Sequence, residues 1–408
     1  MFKFLLALRG NARACVLTEP LYGIPFNLYV PFVTLYMYHL GVMDREIGLL
    51  LSIGRLIQVV MSLTAGIITD KFGRRLTTLI GDIVSWSVPT LIWAFSQNFW
   101  WFLAAAIINS LWQITAVSWE CLWVDDTDEK DVAPIFNWIY ITGLLAVFFA
   151  PIAGYFVHIY GVVPVVRVLY VLAFIFMTTK FIVLYIYSTE TKRGTERMAA
   201  VKNVPVMQSI LGYKAVFLQI IRSRLMTKAL ILQAIWGVVF LVSGTFFALY
   251  ATQNLSVPES FLAYFPILRA AIMLLFLLVI QERLSKYKSQ YMMVAGLVLY
   301  IISMGWLLAT PQYDWLWLAV YIAMDACAAA LLLPRLDALV VNAIDPLERA
   351  RIRSLFSAII LAISSPFGYL AGLLSDMDRR FPFMLNIFLL VIMVFVLLAN
   401  KKPKPAVA

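Results

Sequence analysis

Charge is scarce in this sequence: Asp, Glu, Lys and Arg supply 13% of its 408 residues, about half the share usual in a soluble domain. A surface so short of ionic groups is poorly solvated by water. With 63% apolar residues and a mean hydropathy of +0.89, the chain has a bilayer as its natural solvent. Histidine is nearly absent, and the two present, His39 and His158, form no ligand spacing of the His-x-x-x-His kind. The three cysteines, Cys15, Cys121 and Cys327, all lie in apolar stretches. They offer neither a disulfide framework nor a metal spacing and read as small buried hydrophobes. The sequence has no Gly-x-x-x-x-Gly-Lys-Ser/Thr phosphate loop and no Gly-x-Ser-x-Gly elbow. Neither an enzyme, a metal site nor a cofactor is expected.

What is abundant is apolar length. A bilayer core about 30 Å thick takes ~20 apolar residues per helical crossing, and such runs recur at 14–39, 46–69, 76–95, 99–124, 133–157 and 162–187. A polar interruption at 188–224 follows, and then runs at 225–251, 261–280, 291–309, 316–341, 355–374 and 383–399. This predicts an all-α integral membrane protein of twelve transmembrane helices. Its parts are an amino-terminal bundle (1–187), a linker (188–224), a carboxy-terminal bundle (225–400) and a short basic tail (401–408). Lys3, Arg9 and Arg13 before the first run imitate a signal peptide. The run is long and lacks a small-residue cleavage pattern, so it is expected to remain as the first crossing.

The net charge of +10 implies no nucleic-acid partner, because the basic residues form no face or stripe and sit in the gaps between apolar runs. Alternate gaps differ sharply. One side collects Lys3, Arg9, Arg13, Lys71, Arg74, Arg75, Lys130, the basic residues of 192–228, Arg283, Lys286, Lys288, Arg349, Arg351, Arg353, Lys401, Lys402 and Lys404. The other holds Arg45, Arg167, Arg379 and Arg380. Positive charge stays with the cytoplasmic loops, so both termini are expected in the cytoplasm of a multi-pass protein of the cell membrane. In the linker, Val206, Ile210, Leu211, Val216, Phe217 and Ile220 among Lys214, Arg222 and Arg224 allow an amphipathic helix on the inner membrane surface. A plain connector is the alternative.

The halves resemble one another. Trp119 to Asp128 lies over Leu336 to Asp345, setting Glu120 on Asp337 and Asp128 on Asp345. Asp70 to Thr77 lies over Glu282 to Ser289, Arg55 over Arg269, and Ala150 to Gly154 over Ser365 to Gly368. One order and a nearly constant offset favour internal duplication, which places a transport site near the midplane between two related bundles.

The sharpest local signal is Gly66-Ile-Ile-Thr-Asp70-Lys71-Phe-Gly73-Arg74-Arg75, at the inner end of the second crossing. It resembles the signature of the major facilitator superfamily at the same place, Gly-x-x-x-Asp-Arg/Lys-x-Gly-Arg-Arg/Lys. On physical grounds Gly66 permits close helix approach, Gly73 permits a tight turn, and Asp70 can face a helix amino terminus. The arginines offer forked donors to Glu120, Asp125 or Asp128. The resemblance implies a fold of two pseudo-symmetric six-helix bundles, and for Asp70, Arg74 and Arg75 a role in latching the outward-open state. The second-half copy departs from the pattern at Ser285 and Tyr287, which puts a second latch in doubt.

Ala150-Pro151-Ile-Ala-Gly154 partly resembles a Gly-Pro-x-x-Gly-Gly motif of superfamily antiporters, although Ala150 and Tyr155 replace its outer glycines. Pro151, Gly154, Pro366 and Gly368 are hinge candidates, and an ordinary kink is the alternative. On this motif the reading favours export.

An ionisable group inside a crossing costs ~2.5–3.5 kcal/mol even on the cheaper scales, so it normally faces a partner or a wet cavity. Those here are Glu19, Arg55, Asp82, Glu120, Lys180, Arg269, Asp325, Arg335 and Asp337. The resemblance makes helices one, four, seven and ten line the cavity, where Glu19, Glu120, Asp325, Arg335 and Asp337 fall. Arg55, Arg269 and Asp325 lie near the midplane with Asn27, Gln58, Asn109 and Gln113, and this layer is the candidate substrate cavity. Tyr22, Trp112, Tyr140, Trp236 and Tyr321 are candidate walls, with packing as the alternative. Lys180 reads as a snorkelling side chain. Glu19 and Asp325 are the candidate proton carriers, because burial makes a carboxylate able to load and release a proton.

The function expected is alternating-access secondary transport of a small solute by a monomer in the lipid bilayer, coupled to protons, as an exporter. Proton-coupled import of a sugar, peptide or organic anion is the alternative, and lipid flipping or a non-transporting receptor the rival of another class. Arg55 and Arg269 suit an anion and weaken drug export.

Overall fold

The computed structural model describes residues 8–201, 213–284, 286–343 and 349–399. Lys3, Val206, Ile210, Leu211, Ser285, Asp345 and the tail at 401–408 lie outside them. Among the described residues the regular structure is helical. Eleven helices are long and apolar enough to cross a membrane: Asp44–Phe72, Arg74–Phe95, Phe99–Val124, Pro134–Tyr160, Val162–Tyr187, Arg224–Asn254, Glu259–Phe276, Ser289–Ala309, Trp315–Val340, Ser354–Met377 and Phe381–Leu398. These are the second to twelfth crossings.

The first crossing completes the twelve but is broken into Gly10–Thr18, Pro20–Tyr29, the 3-10 turn Val30–Phe32 and Val33–His39. Its prolines explain the breaks, since each removes an N–H donor and crowds the preceding turn. Pro20 and Pro31 open new segments and Pro25 lies inside one. Glu19 sits at the first break, closing one helix and preceding the next.

Lipid is as apolar as leucine, so helices inside a bilayer are held by close packing and interhelical hydrogen bonds instead of water exclusion. The outward faces accordingly carry large apolar side chains, with Trp100, Tyr187 and Leu316 each more than two-thirds exposed. Inside, Tyr36, Phe102 and Tyr170 fill the outer part of the amino-terminal bundle. Val242, Phe246, Tyr300, Met304, Phe383 and Met393 fill the carboxy-terminal one.

The second and eleventh crossings pack along their length, which needs small residues. A methyl on Gly48 would lie 2.5 Å from the Gly368 carbonyl oxygen and 2.9 Å from the Gly372 Cα. Serines tie the same seam. Ser52 Oγ donates to the Ser365 carbonyl (2.5 Å), Ser365 Oγ donates to the Ser52 carbonyl (2.9 Å), and the Tyr369 N–H donates to Ser52 Oγ (2.7 Å). Nearer the inner end, Ser62 and Ser354 exchange longer bonds of 3.4 and 3.2 Å.

The outer ends of the halves are bound more tightly. Asp44 accepts from Ser375 (2.6 Å) and Arg379 (3.1 Å), and His39 Nε2 lies 2.6 Å from Glu259. Burial disfavours the charge on Arg379, but Asp44 more than offsets this and holds the guanidinium above its ordinary range. Gly154 on the fifth crossing meets the eighth at Ser260, whose carbonyl oxygen would be 2.5 Å from an added methyl. The structure therefore holds the two halves together at the end opposite the Gly73 loop.

The linker contains helices Lys192–Val201 and Tyr213–Arg222. In the second, Val216 and Ile220 are buried against Met226, Ile352 and Phe356. That face covers ends of the seventh and eleventh crossings, while Phe217, Leu218 and Ile221 on the same helix remain exposed. The three cysteines are free, with Cys15 buried and Cys121 and Cys327 half-buried.

Candidate functional site

At the inner end, the loop between the second and third crossings turns on Gly73, whose φ of +84° is a conformation that glycine adopts without strain. Gly66 is different: a methyl there meets nothing within 4 Å, so it does not bring two helices together. Among the described residues Asp70 faces cations. Its Oδ2 accepts from Arg197 (2.7 Å) in the linker, and its Oδ1 lies 3.0 Å from Arg74 Nη1.

The amino terminus of the third crossing is instead held by Glu190, a residue the sequence reading passed over. Its two carboxylate oxygens accept the N–H groups of Arg74 and Arg75, each at 3.0 Å, which supplies partners for orphaned donors and negative charge where the helix dipole favours it. Glu190 lies far along the chain, and the signal available was an acid just beyond the last apolar residue of the sixth crossing.

Arg74 is 4% exposed and donates through Nε to Asp125 (2.9 Å). Arg75 donates to the Tyr185 carbonyl and stacks 3.9 Å over the Tyr185 ring. Of the three acids expected to meet the arginines, Asp125 does so. Glu120 is exposed and takes no part in these bonds, and Asp128 stands before the fifth crossing, also exposed. Lys71 is exposed. The motif's ties thus run within the amino-terminal half and to the linker.

At mid-depth the candidate cavity residues separate. Asn27 and Asn109 are satisfied by the backbone carbonyls of Gly23 (2.8 Å) and Ser85 (2.7 Å), so each has a structural bond already. Gln58 and Gln113 are half-buried. Arg269 Nε donates to Asp325 Oδ2 at 2.6 Å, with Tyr300 and Tyr321 beside the pair. Asp325 therefore has a resident cation, which weakens its candidacy as the proton carrier. Arg55, its counterpart by the internal repeat, donates through Nη1 to the Ser364 hydroxyl (2.6 Å). No carboxylate pairs with Arg55 among the described residues.

The aromatic candidates pack into clusters. Tyr22 stacks on Phe26 and meets Trp86 edge-on, Trp236 lies against Tyr300, and Tyr321 against Phe247. Trp112 borders Trp86, and Tyr140 is more than half exposed.

The largest departure concerns Lys180. It does not snorkel: it is 4% exposed and its Nζ lies 2.8 Å from Glu19 Oε2. The Tyr22 and Trp119 rings cover the ammonium at 4.8 and 5.5 Å. Asp82, 6% exposed on the third crossing, faces the Thr115 hydroxyl and lies within electrostatic reach of Lys180 and Glu19.

The hinge candidates are also contact points. Pro151 opens the helix Ala150–Tyr160 after a break at Phe148 and Phe149, and Gly154 seats Ser260. Pro366 lies inside an unbroken helix, Arg349–Met377, and Gly368 lies against Gly48 and Ser52. The segment resembling the antiporter motif thus has a packing contact of its own. Near the inner end of the tenth crossing, Gln233 donates to Asp337 (3.4 Å) and Arg335 to the Leu331 carbonyl (2.8 Å).

Comparison with known proteins gives the same architecture. The chain resembles the nucleoside transporter NupG (TM-score 0.72, 16% identity, covering 96% of this chain and 100% of that one). It also resembles the POT family transporter PepTSo (0.72, 14%, covering 95% and 97%) and the human organic anion transporter MFSD10 (0.67, 14%, covering 95% and 98%). In sequence, 130 residues are 27% identical to the uncharacterized MFS-type transporter YqjV of Bacillus subtilis, a match spanning 31% of this chain and 32% of that protein. The profile of the Major Facilitator Superfamily matches residues 21–360. With two helical bundles, the loop motif and this match in agreement, the chain belongs to the major facilitator superfamily.

Proposed function

We propose that this transporter moves a small organic anion together with protons, by alternating access of one site between the two bundles. The observation that carries the reading is Arg55. It lies within about 5 Å of the middle of its crossing at 1.5 Å per residue, and among the described residues only a hydroxyl answers its charge. A guanidinium at that depth normally has a partner or a wet cavity. A carboxylate or phosphate oxygen on the substrate supplies the missing anion, and the planar fork suits such groups. Arg269 sits at the matching place in the other half, with Nε committed to Asp325 and further N–H donors on the same fork.

Proton coupling follows from charge: an anion and a proton carried in one cycle move little net charge through the bilayer. Symport of this kind replaces the export expected from the fifth-crossing segment, whose residues have a packing role. A cell-membrane location, cytoplasmic termini and a monomeric state belong to the same proposal, supported by the sorting of lysine and arginine between alternate loops.

A thermal-shift screen of the purified protein tests the anion. A ligand present at a hundred times its Kd stabilises the folded state by about 2.7 kcal/mol. Mono- and dicarboxylates or phosphate esters are expected to raise the melting temperature, and Arg55→Gln to abolish the rise. A response confined to sugars, neutral peptides or amphiphilic cations, unchanged in Arg55→Gln, refutes the reading.

A further inference from the structure

Asp82 is an acid that neither the loop motif nor the midplane arginines use. It lies on the third crossing, 6% exposed, beside Thr115 of the fourth crossing and within reach of Glu19 of the first and Lys180 of the sixth. Cys15 and Tyr22, both on the first crossing, are the other titratable groups that face this cluster. Lys180 is committed to Glu19 at 2.8 Å, with side chains 5% and 14% exposed, and two aromatic rings shut it from solvent.

The cluster is therefore one cation short. Two carboxylates and one ammonium sum to a single negative charge when all are ionised, and a single negative charge inside a bilayer is expensive. Glu19 holds the short contact to Lys180, and Asp82, among the described residues, has the Thr115 hydroxyl and only the more distant share of that ammonium. One proton on Asp82 makes the cluster neutral.

A second observation points to the same place. The helix changes to a π-helical turn over Ile83–Ser87, directly after Asp82, and such turns concentrate at functional sites. In that turn Ser85 is fully buried, and its hydroxyl has no hydrogen-bond partner among the described residues.

We propose that Asp82 binds the coupling proton, with the Glu19–Lys180 pair as its sensor. On loading, the carboxylate takes up H+ to become a carboxylic acid, and Lys180 interacts with Glu19 alone. On release, the proton returns to water and Lys180 is drawn between two carboxylates on different helices, tightening the first, third and sixth crossings around it. This assignment rests on the proton-coupled reading above, and it differs from the sequence expectation in making Glu19 the fixed partner and Asp82 the carrier.

The test needs no substrate. Spin labels at Gln97→Cys and Met377→Cys, on the outer ends of the two halves, report their separation in a background whose three native cysteines are replaced by alanine. The reconstituted protein is measured in acidic and alkaline choline buffer, with infrared difference spectra recorded in parallel. The expected result is a change of label separation with pH and a protonated-carboxyl band at acidic pH. Both should be lost in Asp82→Asn and kept in Asp82→Glu, which also shows that loss in the first variant is not misfolding. Persistence of the band and the separation change in Asp82→Asn overturns the proposal, as does a response that appears only when sodium replaces choline. If Asp82 behaves as expected while no organic anion crosses the membrane, the proton site stands and the anion reading falls.

Discussion

The Arg379 guanidinium reaches both carboxylate oxygens of Asp44, Nε to Oδ2 at 3.1 Å and Nη2 to Oδ1 at 3.4 Å, joining the outer ends of the two bundles. Asp44 is 3% exposed, so this pair is protected from the water and salt that weaken surface ion pairs. Hydrogen bonds to charged groups contribute about 1.5–3 kcal/mol. Asp44→Asn is therefore expected to raise the outwardly open population about tenfold or more. Label separations between positions 97 and 377 check it, and an unchanged distribution refutes the role of this pair in closure.

The glycine contacts at the seam predict a second outcome. A methyl on Gly48 presses on the backbone of Gly368 and Gly372 at 2.5 and 2.9 Å, and backbone cannot yield as a flexible side chain does. Gly48→Ala is expected to cost about 1–3 kcal/mol, the usual range for overpacking. Gly244→Ala, where nothing lies within 4 Å, is the control. Melting temperatures of the two variants decide the matter, and equal values remove the steric argument.

Two glycines of one motif are expected to behave differently. Gly73→Ala forces a side chain into a left-handed conformation and toward Glu190 and Met198, so both stability and transport should fall. Gly66→Ala adds a methyl in open space inside a helix, where alanine is favoured over glycine by about 1 kcal/mol, so stability should hold or rise. Parallel thermal unfolding and uptake measurements distinguish this from equal sensitivity.

This contrast shows how much of the molecule was legible in the sequence. Crossing number and the glycine at the Gly73 turn follow from hydropathy and conformational demand, which short stretches of chain encode, whereas the sequence left Glu120, Asp125 and Asp128 all open as partners of the arginines and the fold brings Asp125 to Arg74. Glu190, the surroundings of Asp82 and the commitment of Lys180 to Glu19 were not legible, although Asp82 itself stood out as an ionisable group inside a crossing. Their partners lie up to 161 residues away, and only the folded bundle brings them together. A lone lysine in an apolar run reads as snorkelling because its sequence neighbours are silent about an acid on another helix. For the same reason Arg55 and Arg269 looked alike, whereas among the described residues only Arg269 has a carboxylate beside it.

The Arg269–Asp325 pair yields a fourth prediction. The Asp325 side chain is 13% exposed and that of Arg269 39%, so removing one partner leaves a half-screened charge and costs less than the ~3–5 kcal/mol of a fully buried pair. Asp325→Asn is expected to destabilise the protein more than the double variant Asp325→Asn with Arg269→Gln. A double variant that unfolds no later than the single one contradicts this reading.

A fifth concerns the linker. Glu190→Gln weakens the cap on the third crossing, and Arg197→Ala releases Asp70, so each should loosen residues 192–201. The measurement is limited proteolysis of the reconstituted protein, with faster cleavage in that stretch expected in both variants. Cleavage at the wild-type rate argues against the linker as a strap on the inner face.

Between the second and eleventh crossings the closest approaches are made by glycines, hydroxyls and carbonyls, with Leu63 packing beside Ile352 and Phe356 further along. In the alternating access proposed above, such a surface would serve as a bearing, since each contact is short-ranged and a hydroxyl can exchange one backbone carbonyl for its neighbour while the helices stay together.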